Sequence, residues 1–256
     1  MKRKNTRNTT IVLIFLLLAT CVMVFSIYKL WEIKQVYAIG DQKYEELTAL
    51  GQKDLTDVPS EPQAPIPERT IDFAALKAVN EDVTAWLYCP DTRIDYPIMR
   101  ATDYDWYLHH LPDGTYNANG TLFLDYNNPD DFSGRLNIIY GHHMKSGSMF
   151  GSLVGYKQQA YFGEHPYMYL YTEDGNYRID LVYGCVVGAG EWRERAFMYE
   201  PNLLTLLSYA AYNTTFESEV AYTEEDRFVV LSTCSYEFDD ARYVVIGVLR
   251  SEYDLQ

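Results

Sequence analysis

Near the C-terminus, Cys234 closes an apolar run, Arg227 to Thr233 (RFVVLST), and eight residues later Arg242 opens another, RYVVIGVL. A polar loop, Ser235 to Ala241 (SYEFDDA), lies between them. Two such runs around a polar loop read as antiparallel strands, a pairing that sets the end of the first beside the start of the second. Cys234 and Arg242 are therefore expected to face each other across the base of the loop. Only about a few per cent of a free thiol is ionised at neutral pH, and a permanent cation nearby favours the thiolate that attacks. The arginine fork also donates fixed hydrogen bonds where an oxyanion develops on an attacked carbonyl. Those two residue types in that arrangement point to acyl transfer through a thioester.

Such chemistry needs an acid and a base, and the chain has five histidines. His142 and His143 follow a β-like run (NIIYG) and precede a loop (MKSGSMFG), a strand end from which side chains commonly reach a site. His109 and His110 sit in an aromatic stretch, and His165 precedes a proline. Residue type alone does not choose among the five. The four cysteines show no paired spacing, so neither a disulfide framework nor a zinc site is expected. Cys89 and Cys185 read as buried small hydrophobes, with a bridge between them left open. Glu237, Asp239 and Asp240 read as a solvated loop face rather than a metal site, and no cofactor is implied.

The elements that must position these residues lie beyond residue 70. Short runs rich in Val, Ile, Tyr, Phe and Thr recur between Gly, Asn, Asp and Pro, which predicts strands at 121–126, 136–140, 167–172, 177–187, 227–233 and 242–249. Helices are expected at 72–79, 103–109, 148–156 and 202–212. The fold class is mainly β, closed or nearly closed, with short helices added.

Ahead of that domain, 21 uncharged residues separate Arg7 from Lys29, enough at about 1.5 Å per residue to cross a bilayer core of about 30 Å. Residues 1–7 then form a cytoplasmic tail, because Lys2, Arg3, Lys4 and Arg7 hold that flank inside, and 8–28 form a single-pass anchor in the cell membrane. Cys21 falls within it. A cleaved secretory signal fits less well, since its apolar region is shorter, about 7 to 15 residues. Residues 29–69 read as a solvated helical stalk, to about Leu50, followed by a linker at 58–69 with four prolines. Residues 70–256 form the extracellular catalytic domain. All 36 acidic residues lie beyond residue 30 with 16 of the 21 Lys and Arg, a formal −20, which argues against nucleic acid as a partner.

Several strings, in order, resemble the class B sortases. Leu231, Ser232, Thr233 and Cys234 with Arg242 look like the sortase signature. Tyr140, Gly141, His142, His143 and Met144, with Ser148 to Gly151, resemble the histidine loop of class B, and Trp86 to Met99, Tyr107 to His110 and Gly120 to Tyr126 are similar to that class as well. The likeness covers roughly 70–250. It implies a closed β-barrel of about eight strands with N-terminal helices and a helix ahead of the cysteine strand. It implies Cys234 as nucleophile, His142 as acid and base, Arg242 as stabiliser of substrate and oxyanion, and Tyr140, Ser232 and Thr233 as substrate contacts, leaving His143 structural. Where some members carry Glu after the cysteine, this chain has Ser235. The implied partners are a secreted protein with a C-terminal Asn-Pro-x-Thr sorting motif and an amine of peptidoglycan or its lipid-linked precursor. A hydrolysing cysteine protease would use the same residues, a pilin-polymerising sortase is a further variant, and a β-rich adhesion module with incidental cysteines is the non-enzymatic alternative.

Overall fold

A computed structural model describes residues 3–51, 66, 69–196 and 202–251. Most of the proline-rich linker expected at 58–69 lies outside the described residues. Eight strands close into one barrel in the order β1-β2-β3-β4-β7-β8-β6-β5. They are β1 (Val83–Tyr88), β2 (Asp95–Arg100), β3 (Leu122–Leu124), β4 (Leu136–Tyr140), β5 (Tyr167–Thr172), β6 (Asn176–Gly188), β7 (Phe228–Cys234) and β8 (Ala241–Ser251). The pairs β2–β3 and β4–β7 are parallel and all others antiparallel.

Both faces of β7 and β8 are covered, which is why their sequences read as continuous apolar runs and not as alternation. Val229, Leu231, Tyr243 and Val245 point into the barrel core. Phe228, Val230, Val244, Ile246 and Val248 pack outside it against α6 (Leu203–Asn213). That helix buries Leu203, Leu206, Leu207 and Ala210, the i, i+3, i+4, i+7 stripe of an amphipathic helix. Each such leucine contributes about 1.5–3 kcal/mol by leaving water, so the cysteine strand is held from two sides.

The predicted strands fall within two residues of the observed ones, and β1 and β2 join them from the stretch that carried only the family likeness. The helices at 72–79 and 103–109 appear as α2 (Phe73–Val79), capped by Asp72 whose Oδ1 accepts from Ala75 N at 3.0 Å, and α3 (Trp106–His109). A 3-10 helix at Gly151–Lys157 stands where 148–156 was expected. Two further helices, α4 (Gln159–Glu164) and α5 (Ala189–Ala196), are short and have no strong sequence signal.

The N-terminal segment differs from expectation. α1 (Arg3–Gly51) is one helix of 49 residues, unbroken by any proline. From Thr9 to Tyr28 it is exposed and mostly apolar, and it is the one helix among the described residues long and apolar enough to cross a membrane. Its last four turns are not a solvated stalk: they dock on the barrel. Tyr37, Gly40, Tyr44, Leu47 and Gly51, spaced alternately by three and four, form the covered face. Tyr44 packs edge-on to Tyr96 of β2 with ring centroids 5.1 Å apart, and Gly51 O accepts from Asp72 N at 2.8 Å at the entry to α2.

Candidate active site

The strand register places Cys234 opposite Arg242, and Ser232 opposite both Val244 of β8 and Tyr140 of β4. Residues two apart on a strand share a face, so Tyr140, Ser232, Cys234 and Arg242 stand together on the outer side of the barrel rim. With His142, Leu108, Tyr104 and Trp192 they line a cavity of about 150 Å³. Among the described residues Arg242 makes no salt bridge; its Nη1 donates to the adjacent Ala241 O at 3.0 Å, and the fork stays available to an incoming anion.

Of the five histidines, only His142 lines this cavity. Its Nε2 donates to the Leu108 carbonyl at 2.7 Å, which leaves Nδ1 as the nitrogen free for proton transfer. His143, next along the chain, turns away: its Nδ1 donates to the Cys234 carbonyl at 2.8 Å and its ring lies 5.1 Å from Tyr236. His110 stacks on Trp106 at 3.7 Å, His109 lies 3.6 Å from Asp105, and His165 packs against Tyr161. Burial pulls the His142 pKa below its ordinary value; the Leu108 bond opposes the shift and the nearby His109 adds to it. His142 is therefore mostly neutral at pH 7.

All four cysteines are free thiols, so Cys89 and Cys185 are not bridged. Burial pushes Cys89 up to about 11 and Cys185 up to about 12, which keeps both as inert thiols. Cys234, at the strand end, is partly exposed.

The remaining predicted residues divide. Ser232 Oγ is buried at the cavity with no hydrogen-bond partner, whereas Thr233 Oγ1 donates to Gly141 O at 2.8 Å and ties β7 to the backbone just before His142. Tyr140 Oη donates to Asp125 Oδ2 at 3.0 Å, as does Tyr104 at 3.1 Å, so a buried carboxylate fixes two walls of the cavity. Tyr104 and Trp192 carried no signal in the sequence, because each reaches the cavity from a separate element, whereas Leu108 and Asp125 lay within strings that carried the family likeness. The buried indole Nε1 of Trp192 also lacks a partner. Glu237 is not simply a solvated loop residue: Lys157 pairs with it and donates to Ser235 Oγ at 2.9 Å, pinning the β7–β8 loop to the 3-10 helix. Partial burial would raise the Glu237 carboxyl, but hydrogen bonds from Lys157 and Ser235 outweigh it and hold the pKa at about 2.

No family model matches the chain. It is 33% identical over 178 residues to sortase B of Listeria monocytogenes, covering 68% of this chain and 72% of that protein. The structure of sortase B from Bacillus anthracis in complex with AAEK1 superposes with a TM-score of 0.70 at 27% identity, over 85% of this chain and 99% of that one. A Streptococcus pyogenes class B sortase involved in pilus biogenesis is 30% identical with a TM-score of 0.64, over 70% of this chain and 98% of that one.

Proposed function

We propose, for a chain that belongs to the sortase B family of cysteine transpeptidases, that it joins a secreted protein to the cell wall from a single-pass membrane anchor. Cys234 attacks the Thr carbonyl of a C-terminal Asn-Pro-x-Thr motif, and Arg242 holds the oxyanion of the tetrahedral intermediate. The C–N bond breaks as protonated His142 gives its proton to the departing amine, leaving a thioacyl enzyme. An amino group of peptidoglycan or its lipid-linked precursor, deprotonated by His142, then attacks the thioester and releases Cys234. The apolar half of α1 holds the enzyme in the membrane, with the N-terminus in the cytoplasm and the barrel outside.

The observation that carries this reading is the pairing of Cys234 with Arg242 across β7 and β8 on a cavity that also takes in His142. The unpartnered Ser232 Oγ and Trp192 Nε1 in the same cavity are polar groups that a bound peptide would satisfy. The test uses the full chain in detergent micelles, with fluorogenic Asn-Pro-x-Thr-x peptides in the presence and absence of amine acceptors, beside Cys234→Ala. Amine-dependent product absent from the variant is expected. Product that forms only by hydrolysis would reassign the enzyme as a protease, and full activity in Cys234→Ala would remove the thiol from the mechanism.

A further inference from the structure

What orients the His142 ring leads back to the N-terminal helix. Its Nε2 is fixed by the Leu108 carbonyl on α3, a helix of only 4 residues, and α3 is held by the segment that returns beside it. Asn117 N donates to His109 O at 2.9 Å, Thr121 N to Tyr107 O at 2.8 Å, and Thr121 Oγ1 to His110 O at 2.8 Å. Gly120, at φ +57°, crosses so close that a Cβ there would stand 2.7 Å from the Leu108 carbonyl oxygen. Any shift of this return segment therefore moves the acceptor that sets the imidazole.

α1 clamps that segment. Tyr44 Oη donates to Gly120 O at 2.5 Å and lies 2.9 Å from Thr121 Oγ1. Asn117 Nδ2 donates to Val36 O at 2.9 Å, and Asn119 Nδ2 to Tyr37 O at 3.4 Å. Gly40 admits the close approach, since a Cβ there would meet Asn119 Nδ2 at 2.2 Å. From the other side Ser148 Oγ donates to Asp41 Oδ1 at 3.2 Å, in the loop whose Phe150 N donates to His142 O at 3.0 Å. A phenylalanine would fill the apolar seat of Tyr44 equally well. The buried hydroxyl adds only its hold on main chain and Thr121, and unpaired it would be costly to bury.

We propose that Tyr44 is a positioning residue for His142, and that the docked turns of the membrane-side helix hold the catalytic imidazole in place through residues 117–121 and the Leu108 carbonyl. This rests on His142 being the acid and base. The docked turns begin at Val36, about 12 Å along the helix from the end of the apolar segment at Tyr28, so one rigid element links the proposed anchor to the site.

Tyr44→Phe and Gly40→Ala test it in the full chain in micelles, beside His142→Ala. The titratable and charged groups that face His142 are His109, Tyr104, Tyr140, Cys234 and Arg242. Tyr44→Phe is expected to lower kcat about five- to tenfold, as a misplaced catalytic group does, with KM changed less than about twofold. The acid limb of the kcat/KM profile should move to lower pH, because the Leu108 bond is the interaction that favours imidazolium. Gly40→Ala should do the same more strongly, with rates normalised to the fraction of Cys234 that an alkylating agent titrates. Parent kcat in both variants, with His142→Ala inactive, overturns the positioning link alone. A loss that vanishes on that normalisation also overturns it, and parent activity in His142→Ala overturns the reading of the site beneath it.

Discussion

Removing Arg242 separates two roles that one guanidinium could play. Opposed residues on antiparallel strands have Cα atoms about 4.5–5.5 Å apart, and Cys234 and Arg242 are such a pair. That register brings the Arg242 guanidinium to the carbonyl that Cys234 attacks, where it can donate to the developing oxyanion. Loss of an oxyanion donor lowers turnover by about 10²–10³. Arg242→Ala should therefore lower kcat/KM for the peptide by about two to three orders of magnitude, while alkylation of Cys234, which forms no oxyanion, changes far less. Arg242→Lys should restore only part of the turnover, because the ammonium lacks the planar fork. Stability is expected to change by about 0.5 kcal/mol or less, since no ion pair among the described residues is lost. Turnover within threefold of the parent, or alkylation and turnover falling in parallel, would refute the oxyanion role.

Three other outcomes follow from the same geometry. In a Cys21→Ser background, an alkylating agent at pH 7 should modify Cys234 alone, with Cys89 and Cys185 reacting only after denaturation; mass spectrometry after digestion reads this directly. Because the folded His142 pKa lies below its ordinary 6.5, the unfolded chain binds the extra proton first as pH drops, and the fold loses stability below about pH 6.5. His142→Gln should flatten that part of the stability curve in urea titrations, and the acid limb of parent kcat/KM should lie below 6.5. Glu237 is depressed to about 2 from its ordinary 4.5, so its contribution is present above pH 4.5 and lost as pH falls toward 2. Lys157→Met should cost about 0.5–1 kcal/mol at pH 7, the scale of a half-exposed pair, and clearly less at pH 2, where about half of Glu237 is protonated, while an equal cost at both pH values would show that the lysine acts only through packing.

Six of the eight strands and the apposition of Cys234 with Arg242 were legible because their signals are local. The run RFVVLSTC, its polar loop and the run after it can pair only by folding back, so the apposition of Cys234 and Arg242 follows from order along the chain. The same holds for the apolar stretch at 8–28, whose length and flanks are enough to mark it, and for α6, whose 203, 206, 207, 210 stripe predicts a covered face. The docked half of α1 carried its own signal, the three-four spacing of Tyr37, Gly40, Tyr44, Leu47 and Gly51. Its charged neighbours masked it, because composition averages over the exposed face as well.

Tertiary structure decided the rest. His142 and His143 are adjacent and chemically alike; the family likeness singled out the first, and packing supplies the physical difference, since one ring meets the Leu108 carbonyl and the other the Cys234 carbonyl. Asp125 buttressing Tyr140, Lys157 pinning Glu237 and Tyr44 reaching Gly120 join positions 15, 80 and 76 residues apart. Residue type along the chain determined which groups can attack, donate or cross a bilayer. Which of them meet depends on contacts at long sequence separation, and such contacts leave no periodicity behind, since each is a single side chain finding a partner that only the closed barrel brings near.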